Sequence, residues 1–500
     1  MNAQQLKMLV TLGLCSALAV FLGYLLGNGR HDAVFLLGYV ALWVFALVAP
    51  GGYAPLIAFG LVCPFSPPSR LVYGFPFFAT ILGLCVLKYM IRQWISRHHR
   101  QVPKLSVPAG FGLFFGWVLI RYCIDPVLPN AFGFGAAVTG FRSYLNYIIC
   151  FALVLFLSAS CRSREDVLAL IRWLGIFSLA FALLLMPLAL TKSMAVAQQL
   201  TNLGMFVTTF DNGLLRFVVL PGFGCTLITL GLFPSLTDWS RVYRRVMIGI
   251  GVLAVIMGGN RGSFIIAFIL LLVIAWVRRR LLGFCLVASS LVLCLVAFRY
   301  IGDRFNFESG VGFFRILALT SHRVATESGA DATVTWRERR WERAMQDIRN
   351  RPWIGYGYGG LENAFVFGTT AQFDSAVLEM DVANGTIHNG FLASARGFGI
   401  PGLLLFMIAY IGRSVFNAKR TVRFRDSDPV VSDLHCFVLA YLVAMGVAIY
   451  VGCDLNSPIL WLYITLGDVV AGVKKAEEET TSARAEQEAP LGLTPRPVLS

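Results

Sequence analysis

Long apolar runs, most of them roughly 16–25 residues, recur along the chain with short polar and basic stretches between them. About twenty apolar residues in a row cross a bilayer as an α-helix, because only intra-segment hydrogen bonds satisfy the backbone there. The pattern predicts spans near residues 7–27, 33–49, 51–63, 73–91, 107–122, 143–159, 167–190, 215–234, 243–258, 262–277, 281–299, 388–412, 433–451 and 457–473. Segment 51–63 is short and reads equally as re-entrant, so the expectation is roughly twelve to fourteen transmembrane helices in an all-α polytopic membrane protein. A β-barrel would show alternating ten-residue segments instead. The first run, Lys7 to Gly27, has no small-residue cleavage pattern after it and reads as a first span. The chain divides into N-terminal spans (1–200), spans with Arg-bearing turns (201–299), one large loop (300–387), C-terminal spans (388–473) and a polar tail (474–500) expected to be disordered.

Composition agrees: 57% of residues are hydrophobic and 14% charged, against roughly 25% charged in a soluble domain. The net charge of +15 is no nucleic-acid signal, because the basic residues sit in loops between spans. One set of alternate loops carries Arg92, Arg97, Arg100, Lys104, Arg162, Arg164, Arg241, Arg244, Arg245, Arg278 to Arg280, Arg413, Lys419, Arg420, Arg423, Arg425, Lys474 and Lys475. The other set carries only Arg30, Arg70, Arg121, Arg142, Lys192, Arg216 and Arg261. The rich set is expected to be cytoplasmic, with both termini inside and the 300–387 loop outside. The eleven cysteines are scattered, without CxxC or Cys/His metal spacing, so neither a zinc site nor a disulfide framework is expected.

That topology puts four notable residues on the outer side. Arg142 precedes a span, Arg216 sits in DNGLLRFVVLPGFG at the start of another, Arg261 sits in the tight turn MGGNRGSF, and His388 closes the external loop. Helix-end arginines often snorkel to headgroups, and this bland reading competes evenly with function for Arg142. It is weaker for Arg261, whose glycine neighbours allow close backbone approach and whose planar fork suits phosphate oxygens. A hydrogen-bonded helix-terminal histidine is the alternative for His388. His435 reads as structural.

Within the loop, VTWRERRWERAMQDIRNRPWIGYGYGG (334–360) places Trp341, Ala344, Met345 and Ile348 on one helical face. This amphipathic helix is expected to lie in the outer headgroup layer, with Arg337 along the edge of its apolar face. Pro352 ends it, and Gly355, Gly357, Gly359 and Gly360 form a turn. The GxGxG follows no strand, which rejects a dinucleotide reading.

Three stretches in this order, NRGSF (260–264), Arg337-x-x-x-Trp341 running into RPWIGYGYGG, and HNGFLASARGFGIPGLLLF from His388, resemble the O-antigen ligase / O-antigen polymerase superfamily of bacterial membrane glycan transferases. The likeness covers about residues 200–470. One departure is clear: that family often has an acid nine positions after the histidine, where this chain has Gly397. The resemblance implies a GT-C-like enzyme of the bacterial inner membrane, active at the periplasmic face, with no cofactor and no metal. Its donor would be a glycan on undecaprenyl pyrophosphate and its acceptor a glycan or lipid A-core, with a flippase and a chain-length regulator as possible partners. On this reading Arg216 and Arg261 bind pyrophosphate, Arg337 and Arg142 assist, and His388 is the general base. Asp211 and Asp381 are near Arg216 and His388 in sequence, and pairing with Arg216 or orienting His388 is the role that proximity suggests for them. Ligase and polymerase both stay open, and a transporter of lipid-linked glycan without chemistry is the alternative from another class.

Overall fold

The computed structural model describes residues 52–64, 77–95, 109–126, 141–189, 207–209, 215–217, 219–258, 261–304, 317, 319–327, 330–358, 377–379, 381–383, 385–452 and 454–488. The spans expected near 7–27 and 33–49 lie outside these residues, as does Asp211. The described helices are α1 (Ala54–Val62), α2 (Phe77–Ile95), α3 (Ala109–Ile124), α4 (Phe141–Ser160), α5 (Arg164–Ala189), α6 (Leu220–Leu232), α7 (Arg241–Met257), α8 (Arg261–Val277), α9 (Leu281–Arg304), α10 (His322–Glu327), α11 (Ala330–Asn350), α12 (Gly390–Arg423), α13 (Pro429–Val451) and α14 (Pro458–Glu488). Five of them, α4, α5, α9, α12 and α13, are long and apolar enough to cross a membrane. The protein is an all-α polytopic membrane protein, with one small exception. Val207–Thr209 (β1) and Leu215–Phe217 (β2) pair antiparallel, Thr208 opposite Arg216.

That hairpin corrects one expectation. The span read as 215–234 begins only at Leu220, because Pro221 sits in the first turn of α6, where a missing N–H costs nothing. The glycine-containing segment of α6 is packed against α7. Gly224 and Gly251 bring the two backbones together so closely that a Cβ on either would collide with the other's carbonyl.

Helix α12 sets the frame of the molecule. Gly399 has φ 72° and ψ 174°, a conformation open to glycine, and Pro401 follows it. The helix therefore breaks there and frees carbonyls in its first half. All three find donors outside the helix. Tyr356 N–H donates to Arg396 O (2.7 Å), Gly357 N–H to Gly397 O (3.0 Å) and Trp117 Nε1–H to Phe398 O (2.8 Å). On the other side of the break Ile400 N–H donates to Pro352 O (2.7 Å). The Pro352–Tyr358 turn is thus a plug in a broken helix, and this accounts for backbone groups that apolar surroundings would otherwise leave costly.

The arginine-rich loops gather at the end of the bundle opposite His388. There Asp428 caps α13 and accepts from Arg164 (2.6 Å) and Lys474 (2.9 Å), while Arg278 pairs with Asp433 (2.7 Å). The chain from 474 was expected to be disordered. Instead α14 continues as helix to Glu488, held by Lys474 on Asp428, Arg164 on Glu477 (3.1 Å) and an i,i+4 pair between Lys475 and Glu479. His435 is buried in α13 against Asn417 (2.8 Å), as its structural reading requires.

Candidate active site

The site forms where α11, the 381–389 segment and the first turn of α12 meet. Asn389 caps α12, its side chain accepting from the N–H groups of Phe391 and Leu392. His388, one residue earlier, holds φ 54°, an unusual left-handed conformation for a histidine. Its neighbours pack against it on both sides. The Trp341 indole donates to the carbonyl of Ile387 (3.1 Å), and Gly452, after α13, lies against the imidazole, where a Cβ would sit 3.4 Å from Nδ1.

Positive charge surrounds this histidine. Arg340 is buried and pairs with Asp381. Arg337, one turn earlier, is half-buried, and its Nε has no hydrogen-bond partner among the described residues. Burial and then the charges of Arg261, from the start of α8, and Arg340 lower the pKa of Arg337. Burial is also the leading cause that lowers the pKa of His388, followed by Arg340 and Arg337, with Asp381 opposing. The imidazole is therefore held neutral to lower pH than usual, a state in which it accepts a proton.

Beside His388 a small cleft is lined by Ser143, Tyr147, Tyr358, Gly390, Asp454 and Asn456. Asp454 keeps surface open to the cleft while protein atoms crowd it, and that crowding pushes its carboxyl up to about 6. Asp454 escaped the sequence reading because it is a lone acid in the short connection between two spans, with no motif around it. Tyr358 explains the missing acid at Gly397. Its buried ring occupies the space a side chain there would need, 3.1 Å from where a Cβ would stand.

Three of the residues singled out in the sequence, Arg261, Arg337 and His388, thus fall into one cluster, joined by Arg340 and Asp381. Asp381 both pairs with an arginine and acts on His388. Arg216 lies on β2, at the edge of a hairpin, not in the first turn of a helix. Arg142 is half-buried in the first turn of α4, next to Ser143 of the cleft; the interactions that gather the cluster do not include it. The apolar face of α11 is also not in lipid alone. Ala344 is fully buried against Val382, Ile387 and Ala393, and Ile348 is buried too, while Met345 faces outward.

Residues 246–407 match the sequence model of the family described as O-Antigen ligase. The matched stretch runs from α7 through the kink of α12 and contains all three motifs and the cluster around His388. Over this segment the chain is similar to the O-antigen ligase family. No curated protein matches the chain.

Proposed function

We propose that the protein transfers a glycan from undecaprenyl pyrophosphate to an acceptor hydroxyl at the outer, periplasmic face of the bacterial inner membrane. The convergence of Arg337 and Arg340 on His388, with Arg261 acting on Arg337, carries the reading. Like charges crowded into a half-buried site cost energy, and a pyrophosphate offsets that cost while the arginine forks match its oxygens. The site lies at the bundle end opposite the arginine-rich loops, which agrees with an outward orientation.

The acceptor O–H attacks the anomeric carbon of the donor. The new glycosidic C–O bond forms as the bond to the phosphate oxygen breaks, and undecaprenyl pyrophosphate leaves with the electron pair. The acceptor proton passes to His388. A single displacement inverts the anomeric centre. The arginines stabilise charge that grows on the leaving group, and Asp454 lines the cleft on the acceptor side. Arg216 and Arg142 are proposed as outer contacts to the donor, from the hairpin and the edge of the cleft.

The test is glycan assembly in cells deleted for the gene and complemented with wild type, His388→Ala or Arg261→Ala at matched membrane levels. Accumulated lipid-linked donor in both variants is expected. Long accumulated chains indicate a ligase, single repeats a polymerase. Full-length surface glycan from both variants would refute the site and return the transporter reading.

A further inference from the structure

Arg396 is the one charged side chain in the half of α12 that follows His388, and it is buried, 6% exposed. It holds three segments at once. Nε donates to Asp347 Oδ2 of α11 (2.8 Å), and Nη1 donates to the carbonyls of Gly357 (3.0 Å) and Ala383 (3.3 Å). Asp347 is equally buried, 4% exposed, and its other oxygen accepts from Arg343 (2.9 Å), which grips Glu379 with two hydrogen bonds (2.6 and 3.0 Å). Each segment so tied carries part of the site. Helix α11 carries Arg337 and Arg340, the 377–383 stretch carries Asp381, and α12 opens two residues after His388. Arg396, Asp347, Arg343 and Glu379 neither line the cleft nor are among the charges that act on His388.

A buried ion pair is seldom worth more to stability than well-packed apolar side chains of the same volume. What it supplies is one geometry: a guanidinium whose donors are spoken for in three directions leaves its partners no freedom to slide. We propose that Arg396, through Asp347, Gly357 and Ala383, is a positioning residue that fixes His388 and the α11 arginines at a common distance from the bound donor. This rests on the transferase reading above. Misplacement of reacting groups by about 1 Å costs on the order of a hundredfold in rate, so the clamp acts on kcat while leaving donor affinity nearly intact.

The test uses the full-length protein in detergent, with lipid-linked glycan extracted from the deletion cells as donor and rates normalised to the folded fraction from thermal unfolding. Arg396→Met and Asp347→Asn are each expected to lower kcat about a hundredfold with donor KM changed by less than about threefold. The double variant is expected to be no slower than either single one, since both break one unit. Arg396→Lys, which keeps the charge but not the fork, is expected to fall between. If Arg396→Met does not fold, the near-isosteric Asp347→Asn and Arg396→Lys carry the test. Rates per folded molecule within about twofold of wild type, or a loss confined to KM, would overturn the proposal. Two controls in the same series separate the ideas: if the wild-type protein itself does not turn over the donor, the transferase reading fails; if wild type is active and His388→Ala alone is dead, only the clamp does.

Discussion

His388 occupies a left-handed backbone conformation, which costs a residue of this kind on the order of 1–3 kcal/mol unless its surroundings hold it. Trp341 and Gly452 do so here. Asparagine tolerates that conformation better than most residues, so His388→Asn removes the imidazole without relaxing the backbone. Membrane levels equal to wild type are expected, with transfer reduced about 10²–10⁴-fold as for loss of a general base; a quantitative transfer assay decides. The pH profile follows from the charges. His388 titrates below its ordinary value, so, on the proposed role as base, its neutral proton-accepting form persists below the usual histidine range and activity is lost only as pH falls through the lowered value. Arg340 lowers and Asp381 raises that pKa. Arg340→Gln should therefore move the acid limb of kcat/KM to higher pH, and Asp381→Asn should move it lower. Shifts of the same sign in both would show that charge is not the cause.

Among the elements, the broken α12 and the turn plugged into it matter most. A Cβ at Gly399 would drive into the Trp353 carbonyl, and its backbone angles exclude other residues. Gly399→Ala is expected to cost on the order of 3 kcal/mol or more, seen as a lower unfolding midpoint and reduced membrane level. Gly397→Glu tests the site where the resemblance expects an acid. Alone it collides with the Tyr358 ring; with Tyr358→Ala the space opens, and the double variant should recover the folded protein that the single one loses. The helical period identifies α11 and the proline its end, but periodicity does not say what covers an apolar face. Ala344 reads the same against lipid as against Val382 and Ile387, and the packing with the 381–387 segment is set by residues over thirty positions away.

For the molecule as a whole, the two ends do different work. At the end opposite His388, burial would raise the carboxyl of Asp428, but Lys474, the Val431 N–H and Arg164 together hold it below the usual range. A carboxylate depressed in this way stabilises the fold above its unfolded pKa, and that stability is lost as pH falls through the lowered value. Screening leaves this partly open site a contribution of about 1 kcal/mol. Asp428→Asn should lower the unfolding midpoint slightly with kcat unchanged; a changed kcat would show that the far end is coupled to the site. The sequence by itself determined the membrane-spanning helical architecture, since a bilayer leaves an apolar run of about twenty residues one way to satisfy its backbone. It also singled out Arg261, Arg337 and His388, because ionisable side chains beside apolar spans are costly and rare there. Only the tertiary structure decided that Arg340 and Asp381 join them, that Tyr358 fills the place of a side chain at Gly397, that Asp454 faces the cleft and that Arg396 ties three segments together. These are contacts between residues far apart in the chain, and no local period or motif encodes which distant side chain will occupy a given space.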